Sequence, residues 1–413
     1  MKRSTTLDVL RELREQPRAL RIAAGLYLLH VLVQGKTTPS ELSAFLTILF
    51  LGWALARREL RPSFHILYFP LLLYGIASTT SALVNGVTIS AYADAIVWFK
   101  MLIFPTALIL FRTVPRLRHL ALLAQIVFAV GISLSGIAQY VSLHQPTLET
   151  RITGPSTHVM TYSGLLLPAA LFLLVLWAHR KGVWLGAATL VVSLALFLTY
   201  TRSVWLGWAV AVFVLLLIKR SRWLPYAVAA ALVFVTLMPM NFFARMVSTF
   251  DLQQSSNLDR IRMAEAGVEM IKDQPVFGVG PAFVKESYPL YRKADAPRFR
   301  PPHLHNNVIQ LWAERGVLGL MAYITLMALF LRECARGWRG PSRPFAEAGV
   351  AITVGLAVAG MFEFNFGDTE VFYLTLELMA LIVAFLERPA GLAMNEVGER
   401  VVAGDPEPVP SRP

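Results

Sequence analysis

Cysteine is nearly absent. Cys334 is the only one in 413 residues, which excludes an intramolecular disulfide and argues against a thiolate metal cluster. Charge is scarce too, with Asp, Glu, Lys and Arg making up 15% of the chain. No Asp-x-Asp pair occurs, nor any His-x-x-x-His, His-Glu-x-x-His or Cys-x-x-Cys spacing, so no familiar metal motif is present and no metal or cofactor is expected. A Gly-x-x-x-x-Gly-Lys-Ser/Thr loop is missing, which argues against an ATP-driven machine. Gly278-Val-Gly280 is too short for a dinucleotide site. No internal repeat is visible. Residues 1–21 are polar and basic, with no cleavable signal pattern, so the first apolar run is expected to serve as an uncleaved signal.

Apolar residues fill the chain instead. They make up 56% of it, and the mean hydropathy is +0.56. Apolar runs long enough to cross a bilayer recur along most of the length, which predicts an all-α, polytopic membrane protein. Twelve spans are expected near residues 22–35, 41–56, 64–84, 95–111, 119–142, 159–178, 183–199, 203–218, 223–241, 316–332, 345–363 and 370–387. An outer-membrane barrel would need short alternating segments, and there are none.

The net charge of +12 is a topology signal. With the N-terminus inside, the cytoplasmic loops carry Arg57, Arg58 and Arg61; Arg112, Arg116 and Arg118; Arg180 and Lys181; Lys219, Arg220 and Arg222; and Arg332, Arg336, Arg339 and Arg343. The opposite short loops hold only Lys36, Arg151 and Arg202. This follows the positive-inside rule and removes any reason to invoke nucleic acid. Five regions result. Residues 1–21 form a cytoplasmic segment, and residues 22–240 hold nine spans. Residues 241–315 make a large external loop, residues 316–388 hold three spans, and residues 389–413 form a disordered cytoplasmic tail.

Chemistry is expected in the external loop, because rigid scaffolds present function on loops. Ser255 to Lys272 reads as an amphipathic helix with Leu258, Ile261, Val268 and Ile271 on its apolar side and Ser or Asn as its cap. Pro301-Pro-His-Leu-His-Asn-Asn307 then re-enters an apolar region, with Asn306 or Asn307 suited to cap the next helix. A histidine at that helix start would meet the positive end of the dipole, which favours the neutral ring that a general base requires. Arg202 stands in a tight junction between two spans, where it must snorkel, pair with an anion or face a cavity. Arg260 and Arg262 lie about 200° apart around the predicted helix, so they cannot both face one ligand. Arg151 and Lys100 are further candidate cations. Arginine's planar fork suits phosphate oxygens. Asp94, Glu363 and Asp368 are acids that could orient the second nitrogen of His305.

Three stretches resemble one family. Arg300 to Leu320 resembles the His-Asn…Glu-x-Gly-x-x-Gly signature of the O-antigen ligase and polymerase superfamily. Thr199 to Gly207 is similar to its Ser/Thr-Arg-x-x-x-Leu-Gly element. Arg260 through Pro275-Val-Phe-Gly-Val-Gly280 is similar to its Arg…Pro-x-x-Gly-x-Gly element, with Ala264 in place of the usual aromatic. The resemblance implies a glycosyltransferase-C-type enzyme of the bacterial inner membrane with its site facing the periplasm. It implies an undecaprenyl-pyrophosphate-linked glycan as donor and, in the ligase branch, lipid A–core as acceptor. Carried over by position, it implies His305 as base, with Arg202 and Arg260 on the pyrophosphate. Arg151, Arg262, His303, Asn306, Glu314 and Lys100 are further substrate-binding candidates. The alternatives are a polymerase or a protein O-oligosaccharyltransferase of the same superfamily, or a lipid-linked glycan transporter. A transporter predicts ionisable residues at span midpoints, whereas the charges here read as gathered at span ends.

Overall fold

The computed structural model describes residues 6–60, 64–86, 97–143, 151–221, 225, 247, 254–387, 392–394 and 400–402. The expected span at 223–241 and Asp94 lie outside the described residues. Fourteen helices are described at full length: α1 Thr6–Arg14, α2 Arg18–Val33, α3 Thr37–Ala56, α4 Tyr68–Val84, α5 Ile103–Thr113, α6 Leu117–Ser142, α7 Val159–Arg180, α8 Val183–Leu198, α9 Arg202–Ile218, α10 Ser255–Asp273, α11 Val284–Tyr291, α12 Asn307–Gly337, α13 Arg343–Ala359 and α14 Thr369–Leu386. A two-stranded antiparallel hairpin, β1 Leu392–Met394 with β2 Arg400–Val402, occupies part of the tail that the sequence reads as disordered.

Among the described residues, five helices are long and apolar enough to cross a membrane: α3, α6, α7, α12 and α14. With the shorter apolar helices α4, α8 and α9, they describe a multi-pass membrane protein. Two helices form its centre. Every residue of α14 from Glu370 to Phe385 is buried, and α7 is buried along most of its length. Both are apolar on most of their circumference, as suits a helix enclosed by others. The remaining helices pack about them in pairs, with α2 on α3, α9 on α13, α4 on α12 and α5 on α14. Gly207 of α9 faces the carbonyl of Gly355 on α13 so closely that a Cβ would not fit. Small residues permit that approach of two backbones.

One polar group contradicts the reading that charges gather at span ends. His30 of α2 and Glu377, halfway along α14, are both fully buried, with Nε2 and Oε1 3.1 Å apart. His30 Nδ1 lies 2.9 Å from the Ser40 carbonyl, which can only accept, so Nδ1 carries a hydrogen. Gln125 donates to the other oxygen of Glu377, and Gln34 donates to Gln125. Every polar group buried in this core needs such a partner.

Candidate functional site

Helix α12 begins at Asn306, whose Oδ1 accepts from the backbone N–H of Ile309 at 3.0 Å. Its side-chain amide donates to the carbonyl of Met361. Asn307 continues the attachment. Its N–H donates to Gly360, its amide to Asn365 Oδ1, and its own Oδ1 accepts from Phe366 N–H. The two asparagines therefore fasten the start of α12 to the turn between α13 and α14. This turn brings Glu363 to His305.

Helix α12 changes direction at Gly316, whose φ of 66° and ψ of −170° belong to glycine. The break frees the carbonyls of Ala313 and Glu314. They accept from Val279 N–H at 2.8 Å and Gly280 N–H at 3.1 Å, while Val317 N–H donates to Pro275. Trp312 Nε1 also donates to Pro275. The Pro275–Gly280 and Glu314–Gly316 motifs, distant in sequence, thus clasp each other through backbone hydrogen bonds. Glu314 is buried in an ion pair with Arg315 and accepts from Gln310. It holds this clasp and does not line the cavity described next.

A cavity of about 460 Å³ opens beside the start of α12. Arg151, His158 and Thr161 contribute from one part of the chain, Ser256, Asp259 and Arg260 from α10, and Arg298, His303 and His305 from the segment before α12. Glu363, Asn365 and Asp368 come from the α13–α14 turn. His305 Nδ1 lies 2.9 Å from Glu363 Oε2, and His303 Nε2 lies 3.4 Å from Glu363 Oε1. Burial pushes the Glu363 carboxyl up, but the bond from His305, with His303 and Arg260 nearby, outweighs it and holds the group below its usual range. Glu363 is therefore an acceptor. His305 presents a hydrogen on Nδ1 to it, so that Nε2 is the nitrogen that bears the lone pair whenever the ring is neutral.

The other charges are set by burial. It lowers His303 to about 4, so that ring is neutral. It lowers Arg260 from its ordinary value against the pull of Glu363 and Asp259. Arg260 Nε has no hydrogen-bond partner among the described residues. Burial raises Asp259 although Arg298 pairs with it at 2.9 Å. Burial also raises Asp368 to about 6, aided by the charge of Glu370 and opposed by the hydrogen bond from Thr161. The nearest ligand atoms of His303, His305 and Glu363 lie within 4.8 Å of one another, a spacing that could hold a metal ion. In this arrangement the two carboxylate oxygens each face one ring.

The cavity thus gathers His305, His303, Arg260, Arg151, Glu363 and Asp368 of the residues expected from sequence. It does not include the rest. Arg202 reaches the start of α10, donating to Asn257 Oδ1 at 2.9 Å and to Gln254 and Ser256. It does not line the cavity. Arg262 is turned aside into ion pairs with Glu265 and Asp295. Lys100 donates to Thr369 and pairs with Glu41. Asn306 is the cap already described. Helix α10 also buries a different face from the one its branched residues suggest. Asp259, Met263, Ala266, Gly267 and Met270 are buried, whereas Ile261 and Val268 are exposed. Its expected Ser or Asn cap is replaced by Gln254, which makes no side-chain capping bond. Asp259, Arg298 and His158 were not anticipated, although Asp259 adjoins Arg260 and Arg298 shortly precedes His303.

A family model described as O-antigen ligase matches residues 186–324. The match supports membership of the O-antigen ligase superfamily. A comparison with curated proteins finds no match. The matched region includes Arg202, Arg260 and His305, while Arg151, Glu363 and Asp368 reach the same neighbourhood from outside it.

Proposed function

We propose that this protein is an O-antigen ligase. It transfers a glycan from undecaprenyl pyrophosphate to a sugar hydroxyl of lipid A–core at the periplasmic face of the bacterial inner membrane. In this reading twelve spans of a glycosyltransferase-C-type fold carry residues 241–315 as the periplasmic loop. The observation that supports it most is the His305–Glu363 pair beside Arg260 in one cavity.

The acceptor hydroxyl gives its proton to His305 Nε2 as its oxygen bonds to the anomeric carbon. The bond from that carbon to the pyrophosphate oxygen breaks in the same displacement, so the anomeric configuration inverts. Glu363 stabilises the imidazolium that forms, and Arg260 with Arg151 meets the charge on the departing pyrophosphate. Arg202 holds the start of the helix that presents Arg260.

The test uses purified protein in detergent, undecaprenyl-pyrophosphate-linked glycan and lipid A–core, with a chelator present and no ion gradient. Inverted product is expected. His305→Ala should fold normally and lose about 10²–10⁴-fold in rate, the usual value of general-base help. Near-wild-type transfer by that variant would overturn the assignment. Transfer only to a second carrier-linked glycan would make the protein a polymerase, and loss of activity with chelator would restore a metal to the site.

A further inference from the structure

His305 has a left-handed backbone, with φ of 52°, between the buried Leu304 and the extended cap Asn306. A residue with a Cβ occupies that region only where its surroundings hold it there. The side chain of His303 supplies such a hold. Its Nδ1 accepts the backbone N–H of His305 at 3.3 Å, closing a ring from one residue to the second one along, as an Asx turn does. Leu304 N–H is held separately by Gln310 Oε1 at 2.7 Å.

This bond also decides the tautomer of His303. A nitrogen that accepts carries no hydrogen, so the neutral ring bears it on Nε2. That nitrogen faces Glu363 Oε1 at 3.4 Å, while Oε2 takes His305 Nδ1–H at 2.9 Å. The two rings lie edge to face with centroids 4.2 Å apart. His303 thus stands between the two groups that orient His305: its Nδ1 accepts from the backbone, and its Nε2 lies 3.4 Å from the carboxylate.

We propose that His303 is a positioning residue for His305: its Nδ1 templates the left-handed backbone and its Nε2–H aligns Glu363. This rests on the reading of His305 as the base. His303 itself takes no proton from the acceptor, since its only lone-pair nitrogen is turned to the backbone.

Two readouts test this, one of them independent of activity. Nitrogen-15 spectra of histidine-labelled protein in micelles, with chelator, report each ring's tautomer. Wild type is expected to show His305 with hydrogen on Nδ1 and His303 with hydrogen on Nε2. In His303→Ala the His305 signal should move to a mixture of tautomers, and kcat should fall by roughly tenfold or more with little change in KM, as for an interaction acting on the chemical step. His303→Asn keeps an acceptor at the same place and should recover much of both losses. Thermal melting checks that each variant is folded. Should His303→Ala fail to fold, His303→Asn carries the test alone through the His305 tautomer. The proposal is overturned if His303→Ala leaves tautomer and kcat unchanged, or if His303→Asn is as impaired as the alanine variant. The base assignment is judged separately by His305→Ala, since the tautomers can be as described even if that variant keeps its rate.

Discussion

Glu363 Oε2 accepts from His305 Nδ1 at 2.9 Å across 58 residues of chain. The bond chooses the ring nitrogen that can take a proton. Glu363→Gln keeps the size of the side chain and removes its charge. The amide can also donate, which would allow the opposite tautomer. Transfer should fall toward the His305→Ala level, a loss of up to about 10²–10⁴-fold. Turnover of purified protein measures this, and an unimpaired Glu363→Gln would show that the pair does not orient a base.

Arg260 and Arg262 make a matched comparison on one helix. Arg260 lines the cavity with Nε unpartnered among the described residues, whereas Arg262 is held by Glu265 and Asp295. A hydrogen bond to a charged group contributes about 1.5–3 kcal/mol, so Arg260→Lys should weaken donor use by roughly 10–10²-fold. Arg262→Lys should change it little. The measurement is kcat/KM at varied carrier-linked glycan, and equal effects at the two positions would contradict the assignment of Arg260 to the pyrophosphate.

The sequence makes these two residues legible but only part of their setting. Long apolar runs mark the helices, because backbone in lipid must satisfy its own hydrogen bonds. His305 and Arg260 stand out because each falls in a stretch that resembles a family motif. Glu363 could be read only as one of three acids, since the turn that delivers it is fastened by Asn306 and Asn307 through contacts no local pattern encodes. Arg202 looks like a ligand for an anion, yet its fork serves the start of α10. The buried face of α10 does not follow its branched residues, because its stripe is built from Asp259, Met263, Ala266, Gly267 and Met270. His30 and Glu377 were missed because each looks solitary in sequence, and only packing makes them a pair.

Gly316 is the hinge of the clasp. A Cβ there would overlap the carbonyl of Val276, and the backbone conformation is one that other residues avoid. Gly316→Ala should cost about 1–3 kcal/mol from the backbone alone, with the overlap in addition. The bonds from Val279, Gly280 and Val317 should then loosen together. A lowered melting temperature and faster proteolysis within residues 275–280 are expected. Wild-type stability would mean that the clasp tolerates a side chain at its centre.

Asp368 gives the site a pH dependence whose sign can be worked out. Its carboxyl rises from an ordinary 3.8 to about 6 in the folded protein, chiefly through burial and further through Glu370. Between these values the folded state binds a proton that the unfolded state has released, so stability from this group falls as pH rises. The cost is complete above about 6 and absent below 3.8. Asp368→Asn removes the charge. It can still cap α14, where Oδ1 accepts from Val371 N–H at 3.2 Å, because asparagine caps as well as aspartate, and its amide N–H in place of Oδ2 can donate to the Thr161 hydroxyl instead of accepting from it. The variant should therefore melt higher than wild type at about pH 7.5, with the gap narrowing toward about pH 4. Melting curves of both proteins across that range measure it. A gap that stays constant with pH would mean that Asp368 does not titrate as its burial requires.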